Sequence, residues 1–142
     1  MKKTAPPIIV SVNLDSSKEI LWGAITEPAQ MKKWFFENIP DFQAHIGFET
    51  SFVVENEGRT FTHQWKITEV IPQQSITYSW RYAEYPGDSF VTFVIEEVDG
   101  QVRLSVRCDV IEDFPDSIPE FRRESCIGGW EYFLGERLKA YL

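Results

Sequence analysis

Only His45, His63, Cys108 and Cys126 offer imidazole or thiol chemistry in this chain of 142 residues. The two histidines stand 18 positions apart, with no HxxxH, HExxH or Cys-His grouping, so no metal-ligand pattern is present. Neither a GxGxxG nor a GxxxxGK[ST] loop is available to cradle phosphates, and there is no GxSxG elbow for a nucleophilic serine. Neither cysteine lies in a nucleophile motif, and no cofactor is implied. His63 therefore carries the chemical interest. It shares a strand parity with Phe61, Trp65 and Ile67, which points it inward. A neutral imidazole there can orient a ligand or act as a general base. It can equally be an interior histidine satisfied by a hydrogen bond.

Trp65, Tyr78 and Trp80 are expected to project from neighbouring strands onto the same face as His63. As core they are bulk. As a pocket wall they combine flat apolar surface with N–H and O–H groups that fix orientation. The catalytic candidates are His63 and Tyr78. Glu69 and Glu96 are expected near inward strand ends, with Arg123 on the sheet-facing side of a helix, either as a mouth-lining charge pair or as solvated rim charges.

The elements that must position these groups are legible as periodicity. "IIVSVNLD" alternates Val10, Val12 and Leu14 against polar residues. "SSKE" reads as a capping box with Ser16 as N-cap and Glu19 three residues on, opening a helix through about Thr26. Pro28 suits the start of a second short helix ending near "KKWFF". Strand faces follow: Phe48, Thr50, Phe52 and Val54; then Phe61 to Ile67; then Ile76, Tyr78, Trp80 and Tyr82. Val91, Phe93 and Ile95 precede a hairpin with Asp99-Gly100 at its tip, and Val102 to Val110 complete the sheet.

A closing helix is expected from about Ser117, with the stripe Ile127, Trp130, Leu134, Leu138 and Tyr141. Extended backwards, that stripe meets Arg123 and Glu120, and Gly128-Gly129 stands at the break. The glycine pair is expected to provide a kink or clearance over open space. The order β-α-α, antiparallel strands, long helix is an α+β arrangement. A curved antiparallel sheet wraps the terminal helix, with the two short helices after the first strand plugging one end.

Composition bounds the function. With 5 Trp, 5 Tyr and 11 Phe the chain has aromatics for a bulky core or a lined pocket. A net charge of −8 disfavours nucleic acid and anionic membrane surfaces as partners. Two cysteines are too few for a disulfide scaffold, so reduced, mostly buried thiols are expected. The opening "MKKTAPPIIVSVNLDSS" lacks the apolar run of a signal peptide, and no stretch reaches transmembrane length. The expectation is a cytoplasmic protein of one domain, 1–142, with an ordered core of about 8–142.

"SSKEILWGAITEPAQMKKWF" resembles the first helix pair of the START-like SRPBCC superfamily, in its branch of activator of heat-shock-protein-90 ATPase homologues. Leu21, Trp22, Ala24, Ile25, Thr26, Pro28, Trp34 and Phe35 occupy the places of that branch's apolar-aromatic-x-Ala-Leu-Thr-x-Pro run and its Trp-Phe ending. "ITEVIPQQSITYSW" and "GGWEYFLGERLKAYL" resemble its strand-Pro-strand signature and closing helix. The resemblance implies a helix-grip fold with a hydrophobic cavity between sheet and helix, used across the superfamily for lipids, sterols, polyketides and other apolar molecules. Trp65 stands where a glycine is usual, and its bulk bears on the space left. The separate N-terminal domain of the eukaryotic co-chaperones has no room in 142 residues.

Three functions follow as expectations. The first is a binding protein for an apolar or aromatic small molecule, held by His63, Trp65, Tyr78, Trp80 and Trp130. Trp34, Phe52 and Phe93 complete that expected set. The second is a module that engages a chaperone or another protein through its outer surface. The third is a cyclase- or hydrolase-type enzyme using His63 and Tyr78.

Overall fold

Period-two alternation becomes six strands in the computed structural model, which describes residues 1–142. They are β1 (Ile8–Leu14), β2 (Glu49–Asn56), β3 (Arg59–Ile71), β4 (Ser75–Tyr82), β5 (Asp88–Val98) and β6 (Gln101–Glu112). All pairings are antiparallel, in the order β1-β6-β5-β4-β3-β2, so consecutive hairpins build β2 to β6 and the first strand closes beside the last. The tight β5–β6 hairpin works because Asp99 and Gly100 both adopt positive φ, 50° and 80°, the twist a two-residue turn requires. On the inner face, Phe61, His63, Trp65 and Ile67 of β3 are buried beside Ile76, Tyr78 and Trp80 of β4. Val91, Phe93 and Ile95 of β5 and Val102 to Cys108 of β6 continue that surface.

Glu69 is not on it. A register shift between Ile67 and Glu69 adds one residue to β3, so the parity flips: Val70 packs on the core and Glu69 is exposed. Glu96 is also exposed and lies opposite Arg103 in the β5–β6 ladder. The expected charge pair of inward carboxylates with Arg123 is therefore absent. Arg123 instead donates to the carbonyls of Pro6 and Pro7, at 2.7 and 3.4 Å.

Two helices follow β1: α1 (Lys18–Thr26) and α2 (Pro28–Trp34). The N-cap of α1 is Ser17, whose hydroxyl accepts from the Ile20 N–H, rather than Ser16; Glu19 lies in the first turn. The Trp34 indole N–H donates to the Ala24 carbonyl at 2.8 Å and ties the helices together.

The closing helix begins later than its sequence signals indicate. Pro119–Phe121 forms an isolated 3-10 turn, and Arg122 is extended (φ −75°, ψ 146°), which stops any helix from running through it. The helix proper is α3 (Arg123–Glu131), continued by a π-helical stretch, Tyr132–Leu138, and a last turn, α4 (Lys139–Tyr141). Trp130, Leu134 and Leu138 are buried against the sheet, while Ile127 and Tyr141 are half-buried against the same core. The helix is continuous across Gly128 and Gly129; its irregularity lies in the π stretch beyond them. The stripe breaks before residue 123 because the chain is no longer the same helix there. The architecture is α+β, a helix-grip arrangement of sheet and C-terminal helix.

Candidate functional site

Between the β3–β6 face and α3 lies a cavity of about 150 Å³, lined by fourteen residues of which ten are hydrophobic. His63 of β3, Trp80 and Tyr82 of β4, Ser89 and Val91 of β5 and Cys108 of β6 form its floor. Cys126, Gly129, Trp130 and Phe133 cover it from the helix, and Phe36, just after α2, closes one side. Strand parity explains the floor, because residues 80 and 82, 89 and 91 share faces. Helical spacing explains the cover, since residues 126, 129, 130 and 133 follow the i, i+3, i+4, i+7 pattern of one helix face.

His63 is the polar feature of this apolar space. Its Nδ1 lies 3.1 Å from the Phe61 carbonyl oxygen, which can only accept, so Nδ1 carries the hydrogen. Nε2 is left with a lone pair and no protein partner, and it is not among the polar atoms sealed off by protein. Burial lowers the imidazole pKa to about 4, against the lesser opposing effects of the Phe61 carbonyl and Glu84, so the ring is neutral at pH 7. The ring stacks on Phe52 at 4.8 Å and 13°, and meets Tyr82 edge-on at 4.8 Å.

The neighbouring polar groups are arranged in sequence. The Trp80 indole N–H donates to the Tyr82 hydroxyl at 2.8 Å, which leaves that hydroxyl its own hydrogen to give. Ser89 donates to the Trp80 carbonyl at 2.8 Å, so its one hydrogen is used. At the rim, Glu120 accepts from Arg59 at 2.8 and 2.9 Å and from Asn56 at 2.7 Å. The Arg59 hydrogen bonds hold the Glu120 carboxyl below its usual pKa, and its charge is matched. The hydrogen bond to Cys126, and then burial, push the Cys108 thiol up, while the same bond favours the thiolate of Cys126. No group of three His, Cys, Asp or Glu side chains is placed to hold a metal ion.

The residues expected from sequence divide in two. His63, Trp80 and Trp130 line the cavity. Trp34, Phe52, Trp65, Tyr78 and Phe93 are packed in the aromatic core beside it, with Trp65 4.9 Å from both Tyr78 and Trp80. Trp65 thus fills space under the sheet, and its indole N–H and the Tyr78 hydroxyl find no partner. Sequence reasoning missed Tyr82, Cys108, Cys126 and Phe36 as lining residues. Tyr82 and Cys108 had the right strand parity, and Cys126 precedes Trp130 by one helical turn; Phe36, in irregular chain after α2, carried no periodic signal.

Comparison with known proteins follows this geometry. The family model described as activator of Hsp90 ATPase homolog 1-like protein matches residues 15–142. The chain belongs to that family. No curated protein matches it. Among solved structures, protein CV1439 from Chromobacterium violaceum is similar with a TM-score of 0.76 and 24% identity, covering 94% of both chains. Protein MLL2253 from Mesorhizobium loti gives 0.75 and 22%, covering 96% of both. The Aha1 dimer from Colwellia psychrerythraea gives 0.70 and 20%, covering 97% of this chain and 96% of that one. At these identities the likeness to each structure establishes the shared fold. No helix of this family member is long and apolar enough to cross a membrane.

Proposed function

We propose that this member of the family binds a small apolar or aromatic molecule in the cavity between sheet and α3. The observation that carries the reading is the cavity itself: about 150 Å³ beneath a helix in an otherwise close-packed aromatic core. Protein interiors are close-packed, with few voids larger than a water molecule, and an apolar cavity of about this volume elsewhere takes up benzene. The family's range, from co-chaperone-like to ligand-binding members, is compatible with it. Isothermal titration with toluene tests the reading. One saturable site is expected, and Val91→Phe, which places a ring in the cavity from β5, abolishes it. Toluene binding that is absent, or unchanged in Val91→Phe, refutes the proposal.

A second reading, docking onto a chaperone, is supported by the family name and by the similarity to the Aha1 dimer. The exposed apolar side chains, among them Ile9, Ile20, Ile46, Val53 and Ile111, are distributed over separate elements. Its test is whether the protein raises the ATPase rate of a purified Hsp90 chaperone; no change at saturating protein rejects it.

A further inference from the structure

The lining of the proposed cavity carries a free ring nitrogen beside a free hydroxyl hydrogen. Nε2 of His63 has a free lone pair, because Nδ1 is committed as donor to Phe61. The Tyr82 hydroxyl has a free hydrogen, because its oxygen already accepts from Trp80. Both side chains line the cavity, and their ring centroids lie 4.8 Å apart. An acceptor and a donor side by side in apolar surroundings match one substituent that both donates and accepts. That substituent is a hydroxyl. Trp80 and Trp130, 5.6 Å apart, offer aromatic faces to a ring behind it.

We infer, resting on the cavity reading above, that the preferred ligand is a neutral single-ring phenol. Its O–H donates to Nε2 of His63, and its oxygen accepts from the Tyr82 hydroxyl. Neutrality follows from the charges present. The buried imidazole is uncharged at pH 7, and the guanidinium of Arg59 is engaged by Glu120 of the lining. The one cation among the lining residues, the Met1 ammonium, is paired with Asp116 at 3.0 Å and donates to the Phe121 carbonyl at 2.8 Å, so no free cation offsets a carboxylate or phenolate, whose burial would be costly.

The test is calorimetric titration of the wild-type protein with phenol, toluene and benzoate at pH 7. A buried ligand hydroxyl with both partners should make phenol roughly three- to tenfold tighter than toluene; benzoate should bind more weakly than either. In His63→Phe, which keeps the aromatic stack but removes both nitrogens, and in Tyr82→Phe, the phenol-to-toluene ratio should fall towards one while toluene still binds. The ratio is read within one protein, so a general loss of stability does not mimic the effect. Toluene binding as tightly as phenol overturns the hydroxyl inference and leaves the cavity reading standing. Benzoate binding best overturns the claim of neutrality. Failure of all three to bind overturns the cavity reading itself.

Discussion

His63 shows how a residue's environment decides its chemistry. Burial takes its pKa from 6.5 to about 4, so the folded protein binds fewer protons at this site than the unfolded chain over that range. Its contribution to stability is present above pH 6.5 and is lost as pH falls towards 4. Between pH 6.5 and 4.5 that loss should be about 2 kcal/mol. Urea denaturation across this window should show the slope in the wild type and a slope shallower by about that amount in His63→Phe; parallel curves would mean the imidazole is not buried in neutral form. Tyr78 presents the opposite case. Its hydroxyl is sealed in the core without a partner, and desolvation raises its pKa further above the ordinary value. Tyr78→Phe should therefore leave stability unchanged or raise it by up to about 1 kcal/mol. A clear loss on urea denaturation would show that the hydroxyl is hydrogen-bonded.

The elements respond to glycine in contrary ways. A Cβ built at Gly128, Gly129 or Gly135 meets nothing within 4 Å, so the closing helix does not need these glycines for close packing. The kink expected at Gly128-Gly129 is absent, and no neighbour there requires the clearance of a missing Cβ. Gly128→Ala, on the exposed side of α3, should stabilise by roughly 0.5–1 kcal/mol through helix propensity alone. Gly87 is different: its φ is +120°, and a Cβ there would overlap the Phe114 ring. Phe114 also lines the cavity. Gly87→Ala should cost more than about 2 kcal/mol, combining backbone strain with displacement of that ring. Thermal melts of both variants check the pair, and opposite signs are the expected result.

Across the whole molecule, cavity volume and aromatic packing trade against one another. Trp65 is 2% exposed and touches Phe35, Phe52, Tyr78 and Trp80. Removing it forfeits those contacts, and Trp65→Ala should cost about 3–5 kcal/mol. The indole's volume would then adjoin the existing cavity, and the variant should take up naphthalene more tightly than the wild type does. Titration of both proteins with naphthalene, next to urea denaturation, reads the two effects separately. An affinity no better than wild type would show that the core collapses into the space.

The sequence by itself determined most strand faces and the α+β element order, because alternation and capping are local and each is repeated along the chain; the helix-grip class was implied by the resemblance of the first helix pair, the strand-Pro-strand stretch and the closing helix. It also singled out His63, the one inward imidazole, together with Trp80 and Trp130. Where a long-range event intervened, local pattern misled. One extra residue in β3 turned Glu69 outward, and an extended Arg122 delayed the final helix beyond Ser117 and Pro119. Which of the inward aromatics enclose space and which fill it was also beyond local pattern. Trp65 and Trp80 sit opposite one another in the β3–β4 ladder with the same parity, yet only Trp80 lines the cavity. Parity gives each residue its side of the sheet. Whether open volume remains above it depends on where α3 and the chain around Phe36 come to rest, and those contacts are made between residues far apart in sequence.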